Sequence, residues 1–145
     1  MFGASIRSIM SRKKLLTATA ATTVSKAAKL MAKCKMSAVM VIGTDGRLIG
    51  IFTERDAVHR VIARRLDPDL TRLADVMTPN PQTVAPRETF GYALLQMHEQ
   101  GFRHMPVVED GRPVGMVSAR NALDPDLEEF AAEAQRRKHI RRYAA

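Results

Sequence analysis

The stretch Gly50-Ile51-Phe52-Thr53-Glu54-Arg55-Asp56 has a counterpart further along the chain in Gly115-Met116-Val117-Ser118-Ala119-Arg120-Asn121. Both read glycine, an apolar residue, any residue, a hydroxyl residue, any two residues, then Asp or Asn. Ahead of each lies a short apolar run, Leu48 to Phe52 and Pro113 to Val117, and ahead of that an Asp-Gly-Arg turn, Asp45-Gly46-Arg47 and Asp110-Gly111-Arg112. Asp-Gly suits a hairpin, because glycine takes positive φ without a steric penalty. Before each turn stands another β-rich run, Val39-Met40-Val41-Ile42 and Met105-Pro106-Val107-Val108. The copies stay in step except for one residue, which falls in the turn.

Further upstream, Val24-Ser25-Lys26-Ala27-Ala28-Lys29-Leu30-Met31 matches Phe90-Gly91-Tyr92-Ala93-Leu94-Leu95-Gln96-Met97. Each places apolar residues at i, i+3, i+4 and i+7, the period of an amphipathic helix. The correspondence extends to Ile6-Arg7-Ser8-Ile9-Met10-Ser11 and Leu73-Ala74-Asp75-Val76-Met77-Thr78. The chain is therefore a tandem duplication of a β-α-β-β-α unit, an α/β (α+β) class. Its expected divisions are a first repeat over 5–65, a connecting segment over 66–81, a second repeat over 82–123 and a basic C-terminal helix over 124–145. Asp67-Pro68-Asp69 and Thr78-Pro79-Asn80-Pro81 mark the connection, since proline stops a helix and stiffens the chain. One half leaves apolar surface bare, so two halves covering each other in pseudo-twofold fashion are expected to share one domain.

The motif at the strand-to-helix junction has two chemical readings. In one, the first helical N–H groups are unpaired and form an anion site, the hydroxyl of Thr53 or Ser118 donates to a phosphate oxygen, and Asp56 accepts from ribose hydroxyls. Arg55 and Arg120 add positive charge at the same helix end. In the other, Thr-x-x-Asp and Ser-x-x-Asn are capping boxes that need no ligand. The two roles are compatible, because a cap fixes the turn that presents the groups.

The duplicated whole, from the Met-Ser and Met-Thr lead-ins through the helices ending in Met to the Pro-Val-Val strand, resembles a CBS domain pair, or Bateman module, over roughly residues 5 to 123. That resemblance implies two clefts between the halves for adenosine derivatives: AMP, ADP, ATP, S-adenosylmethionine or NAD-type dinucleotides. It implies phosphate at Thr53 and Ser118 and ribose at Asp56 and Asn121. An adenine pocket would be lined by Thr17-Ala18, Thr83-Val84, Val39-Met40 and Met105-Pro106. Arg103 and His104 match the family's phosphate-contacting position, where the first copy has uncharged Ser37 and Ala38. Asn121 in place of an acid loses a charge-assisted bond, and Met40 stands where the second copy has Pro106, so the clefts are expected to be unequal. One occupied cleft and two both agree with this. The resemblance also implies pairing of two modules into a flat disc, hence a homodimer, with an adenine nucleotide as regulatory ligand and no catalytic cofactor.

Composition is ordinary for a soluble globular protein. The chain has 145 residues, 46% of them hydrophobic and 26% charged, with a formal net charge of +8. That charge favours anionic partners, and much of it lies in Arg136, Arg137, Lys138, Arg141 and Arg142. The C-terminal helix starts at Asp124-Pro125, with acidic residues early and basic residues late, as the helix dipole favours. It is read as a docked helix with a solvated basic end; the alternative is a nucleic-acid or acidic-protein contact. No apolar run reaches a membrane span. The single cysteine, Cys34, cannot form an internal disulfide and points to a cytoplasmic protein. His59, His98, His104 and His139 lack metal-ligand spacing, so no metal is expected. Neither Ser118 nor Cys34 sits in a nucleophile elbow, so the chain reads as no enzyme.

Overall fold

The hairpins decide the architecture. In a computed structural model that describes residues 2–10, 15–122 and 133–138, β2 (Ala38–Ile42) pairs antiparallel with β3 (Leu48–Thr53), and β5 (His104–Glu109) with β6 (Arg112–Ser118). Each ladder carries a register shift on the last residues before its turn, Val41/Ile42 and Val107/Val108. The second turn is a tight pair, Asp110 and Gly111, both at positive φ. The first is longer by the one residue noted above, with Gly46 at φ 80°. The two hairpin tips touch, as the Leu48 N–H donates to the Gly111 carbonyl at 3.0 Å.

The helices follow the expected period and run further. Helix α2 spans Val24–Cys34 and α5 spans Phe90–Gln100. Each is capped by threonine, Thr23 accepting from the Lys26 N–H and Thr89 from the Tyr92 N–H, which satisfies a donor that the first turn leaves open. Each ends on a left-handed residue. Gly101 takes that conformation freely, whereas Lys35 holds it at φ 53° with a Cβ to accommodate. After β3 the chain makes one α-turn, α3 (Glu54–Asp56), and continues as π-type turns over Ala57–Ile62. After β6 a 3-10 turn covers Ala119–Ala122. Of the basic C-terminal helix expected over 124–145, residues 133–138 are described and are helical; the rest lies outside the described residues.

Each half has its own core. Val24, Ala27, Met31, Val39, Val41 and Phe52 fill the first, and Val84, Phe90, Ala93, Met97, Met105, Val107 and Val117 the second. The two lead-in segments are exchanged between them. Helix α1 (Ile6–Ile9) buries Ile6 in the second core, while α4 (Leu73–Val76) buries Leu73 and Val76 in the first. Two glycines admit the following methionines: a Cβ on Gly115 would run into Met10, and one on Gly50 into Met77. β4 (Thr78–Pro79) then adds to the edge of β3. A third cluster, Ala38, Met40 and Ile51 with Met116, is the seam where the halves meet.

One strand is not duplicated in full. In the first half β1 (Thr17–Thr19) lies parallel to β2, and the Met40 N–H donates to the Leu16 carbonyl. In the second, Pro106 occupies the place of Met40 and has no N–H to give. The equivalent strand shrinks to a single bridge, Val84 to Val107. The sheets are accordingly β1-β2-β3-β4 and β5-β6.

Candidate functional site

At the end of β3 the chain must turn from strand to helix, and Thr53 and Asp56 make that turn by bonding to each other. The Asp56 N–H donates to Thr53 Oγ1 at 3.3 Å, and the Thr53 N–H donates back to Asp56 Oδ2 at 2.9 Å. Thr53 Oγ1 also lies 3.2 Å from Asp56 Oδ2. The other carboxylate oxygen faces Arg60 Nε at 3.5 Å. Arg60 Nη1 reaches the carbonyls of Val76 and Met77, so the guanidinium ties this helix to α4 and to the segment after it. Asp56 is 8% exposed, the one buried charged residue of the described chain. The second copy repeats the cap: the Ser118 N–H donates to Asn121 Oδ1 at 2.7 Å, and Ser118 Oγ lies 3.4 Å from the same oxygen.

The expectation that the first helical N–H groups stand unpaired is therefore corrected. The Glu54 N–H donates to the Ser37 carbonyl and the Ala119 N–H to the Arg103 carbonyl, each at 3.0 Å. A backbone donor held away from water is costly to leave open, and the residue ahead of each inner strand supplies the acceptor.

These backbone bonds bring Ser37 and Arg103 beside the two helix starts, and the halves meet there through a side-chain bond. Ser37 Oγ lies 2.7 Å from His104 Nε2. Burial pushes the His104 imidazole below the ordinary histidine value of 6.5; Glu54 opposes this, while Arg120 and Arg103 reinforce it. Desolvation and the two guanidinium groups therefore act together against the charged ring. Next to this bond opens a cavity of about 490 Å³, floored by Met31, Met36 and Phe52 of the first half. Ser37 and Glu54 line it from the same half, and Arg120 reaches in from the second. Such a space is of the size that small ligands occupy.

Of the residues expected to form a site, Arg120 lines this cavity and His104 reaches its wall through Ser37. Arg103 and Arg55 are exposed nearby in sequence, and Thr53 and Ser118 are half-buried in their caps. Val39, Met40, Val84, Met105 and Pro106 are buried in the sheets, while Thr17 and Ala18 are half-buried on β1 and Thr83 is exposed. Sequence reasoning missed Glu54, which occupies an unconstrained position of the motif. It noted Ser37 only as an uncharged counterpart. The signal for Ser37 was present, since it aligns with Arg103 across the duplication. Among the described residues, no group of three or more His, Cys, Asp or Glu side chains is placed to hold a metal ion.

The comparisons with known proteins bear on this arrangement directly. The CBS domain model matches residues 6–63 and again residues 73–128. The chain belongs to the CBS domain family. A CBS domain-containing protein of Arabidopsis thaliana is 35% identical over 128 residues, 88% of this chain and 23% of the relative. The chain thus spans under a quarter of that protein's length. An uncharacterized conserved protein from Pyrococcus horikoshii superposes with a TM-score of 0.80 at 30% identity, covering 87% of this chain and 94% of that one. A CBS domain protein from Pyrobaculum aerophilum, solved in complex with AMP, superposes at 0.75 with 25% identity, covering 81% and 89%. The fold is a tandem CBS pair. No helix among the described residues is long and apolar enough to cross a membrane.

Proposed function

We propose that this CBS pair is a regulatory module that binds an adenine nucleotide between its halves, AMP, ADP or ATP first and NAD(H) or S-adenosylmethionine next, and acts as a homodimer rather than as an enzyme. The observation that carries the reading is the cationic cluster at the seam. The guanidinium groups of Arg103 and Arg120 both lie near enough to the His104 ring to act on it, Arg120 lines the cavity with Glu54 of the first half, and Ser37 Oγ meets His104 Nε2 across the seam. A phosphate is the ligand group that turns such a cluster from repulsive to favourable. The AMP complex of the related Pyrobaculum protein supports the same class of ligand.

In this reading the phosphate sits by Arg103, His104 and Arg120, with Thr53 or Ser118 donating. Asp56, and more weakly Asn121, accepts from ribose. The backbone around Thr17-Ala18, Val39-Met40, Thr83-Val84 and Met105-Pro106 bounds the base. Thr53 and Asp56 are already bonded to each other, so ligand binding exchanges part of the capping box for ligand bonds. A ligand that binds one arrangement of the halves better than another shifts their equilibrium, which is what regulation requires. Exposed apolar side chains on the helices, Val58, Ile62, Tyr92 and Leu95, give a second copy a surface to cover.

Calorimetry with AMP, ADP, ATP, NAD(H) and S-adenosylmethionine tests the reading. At least one is expected to bind with micromolar affinity and to lose about tenfold or more in an Arg103→Ala/Arg120→Ala double variant, as loss of about 1.4 kcal/mol requires. No heat from any of them, with the protein folded, overturns it.

A further inference from the structure

The buried carboxylate of Asp56 is held at both oxygens, and from two different places. Oδ2 takes the Thr53 N–H at 2.9 Å inside the cap. Oδ1 faces Arg60 Nε at 3.5 Å, and Arg60 has anchors of its own outside the cap. Its Nη1 donates to the carbonyls of Val76 at 3.3 Å and Met77 at 3.0 Å. These stand at the end of α4, where a short helix leaves carbonyls open. From there the chain runs back along the strand that carries the cap. The Met77 side chain lies in the space above Gly50, Thr78 and Pro79 pair with Ile51 and Gly50, and the Asn80 N–H donates to the Ile49 carbonyl at 3.0 Å. β3, the cap, Arg60 and residues 76–80 thus close a ring, and the same segment leads on to Val84 in the second core. Arg60 lies in the π-type turns over Ala57–Ile62, an irregular helix geometry that is frequent at functional sites. The duplication does not carry this pair: the position aligned with Asp56 is Asn121, and the one aligned with Arg60 is Pro125.

We propose that Arg60 is a positioning residue: it holds Asp56 in place to accept from the ribose hydroxyls, and it links occupation of that site to the segment between the halves. The proposal rests on the nucleotide reading above and adds a residue that the repeated motif does not contain. When a ligand exchanges part of the capping box for its own bonds, Asp56 gives up partners on Oδ2. A buried carboxylate left without partners is costly, so something outside the exchange must keep it in place. Arg60 can do so, because the two carbonyls that anchor it take no part in the exchange. A planar guanidinium serves a carboxylate and two carbonyls at once, whereas an ammonium is a single point. A shift of the carboxylate toward ribose therefore pulls on the Val76 and Met77 carbonyls, and through them on β4 and the chain entering the second half. The cleft built on Asn121 lacks this charged pair, so ribose is read mainly in one of the two clefts.

Calorimetry of the full chain with AMP and ATP, each beside its 2′,3′-dideoxy form, separates positioning from support of the fold. The wild type is expected to prefer the ribose forms about tenfold, as a charge-assisted bond requires. Arg60→Met keeps the stem, removes the guanidinium and should cut that preference to about twofold, with Arg60→Lys recovering part of it. Loosening of the helix alone would weaken both forms together and leave their ratio unchanged, and that outcome overturns the proposal. Asp56→Asn/Arg60→Met strands no buried charge and serves if Arg60→Met alone folds poorly. Its ratio is expected to equal that of Asp56→Asn; a further drop shows that Arg60 does not act through Asp56 and also overturns the proposal. Hydrogen exchange at saturating nucleotide reads the link. Nucleotide is expected to slow exchange of the Asn80 amide in the wild type and not in Arg60→Met, and equal slowing in both overturns the coupling. A wild type that binds ribose and dideoxy forms alike removes the proposal and leaves nucleotide binding standing. Binding of neither AMP nor ATP removes the proposal together with their place as first ligands.

Discussion

The first half closes its sheet with a regular parallel strand, buries Phe52 with the half-buried Leu16 packed against its core, and draws a carboxylate into its cap. The second has Pro106 in place of Met40, Gln82 in place of Leu16, Val117 in place of Phe52 and Asn121 in place of Asp56. The cores remain alike, because each must still bury one helix against one hairpin. Apart from Val117 for Phe52 in the core, the differences gather at the strand edge, at the seam and on the outer helix faces.

The largest test of this comparison removes the heaviest core difference. Phe52→Ala is expected to cost about 4 kcal/mol, within the usual range for a buried phenylalanine. Val117→Ala, deleting fewer atoms, should cost about 2 kcal/mol on the burial scale. Urea titration of both variants measures the gap, and equal losses would mean that the two cores do not differ as their contacts indicate.

Exchange of the lead-ins comes next. Ile6→Ala and Leu73→Ala should each cost about 3 kcal/mol, but in opposite halves. Hydrogen exchange should show Met105 to Val107 loosened by the first, and Val39 to Val41 loosened by the second. Protection lost in the near half instead would break the assignment of each lead-in to the far core.

Making the caps alike is a smaller change. Asp56→Asn keeps an oxygen for the Thr53 N–H, as Asn121 does for Ser118, but discards the charge that faces Arg60. If Asp56 accepts from ribose, the difference between a charged and a neutral bond, about 1 kcal/mol or slightly more, lowers nucleotide affinity five- to tenfold by calorimetry. Unchanged affinity would confine Asp56 to capping. Asp56→Ala is the poorer test, because it also removes a buried cap worth about 1 kcal/mol.

Gln82 offers a gain. Its Nε2 donates to Gln96 Oε1, but its own Oε1 is buried without a partner among the described residues. Gln82→Leu restores the residue type of the first half and should stabilise the protein by about 1 kcal/mol. A loss in melting temperature would show that the amide is better satisfied than its surroundings indicate.

The smallest effect is a pH dependence. His104 is held below its ordinary value of 6.5, so the unfolded chain takes up its proton first as pH falls. The stability this histidine contributes is present above about pH 6.5 and is lost as pH drops below it. A phosphate beside the ring acts in the other direction, favouring the charged form, so nucleotide affinity should rise a few-fold from pH 7.5 to 6. His104→Gln should flatten both profiles, and a pH dependence that persists in that variant would exclude the histidine as its source.

Much of the fold was legible without coordinates. Helical periodicity located α2 and α5 because a buried stripe repeats with the turn of the helix, and Asp-Gly located both hairpins because few residues tolerate positive φ. The capping reading of Thr53 and Asp56 was equally visible, being local in sequence. The cavity was not. Glu54 and Ser37 sit at positions no local pattern constrains, and their meeting with Arg120 and His104 depends on how one half is turned against the other.

By itself, then, the order of residues determined that two like units exist, where each begins its strands and helices, and which family they join, since all of these depend on neighbours a few residues apart. The tertiary structure alone decided which core receives which lead-in helix. Both cores offer a buried seat for such a segment and a glycine that admits the methionine after it, so the local pattern does not say which segment goes to which half. It also decided that Pro106 shortens a strand to a single bridge rather than merely reshaping a pocket, because a missing N–H matters only once its intended acceptor is known.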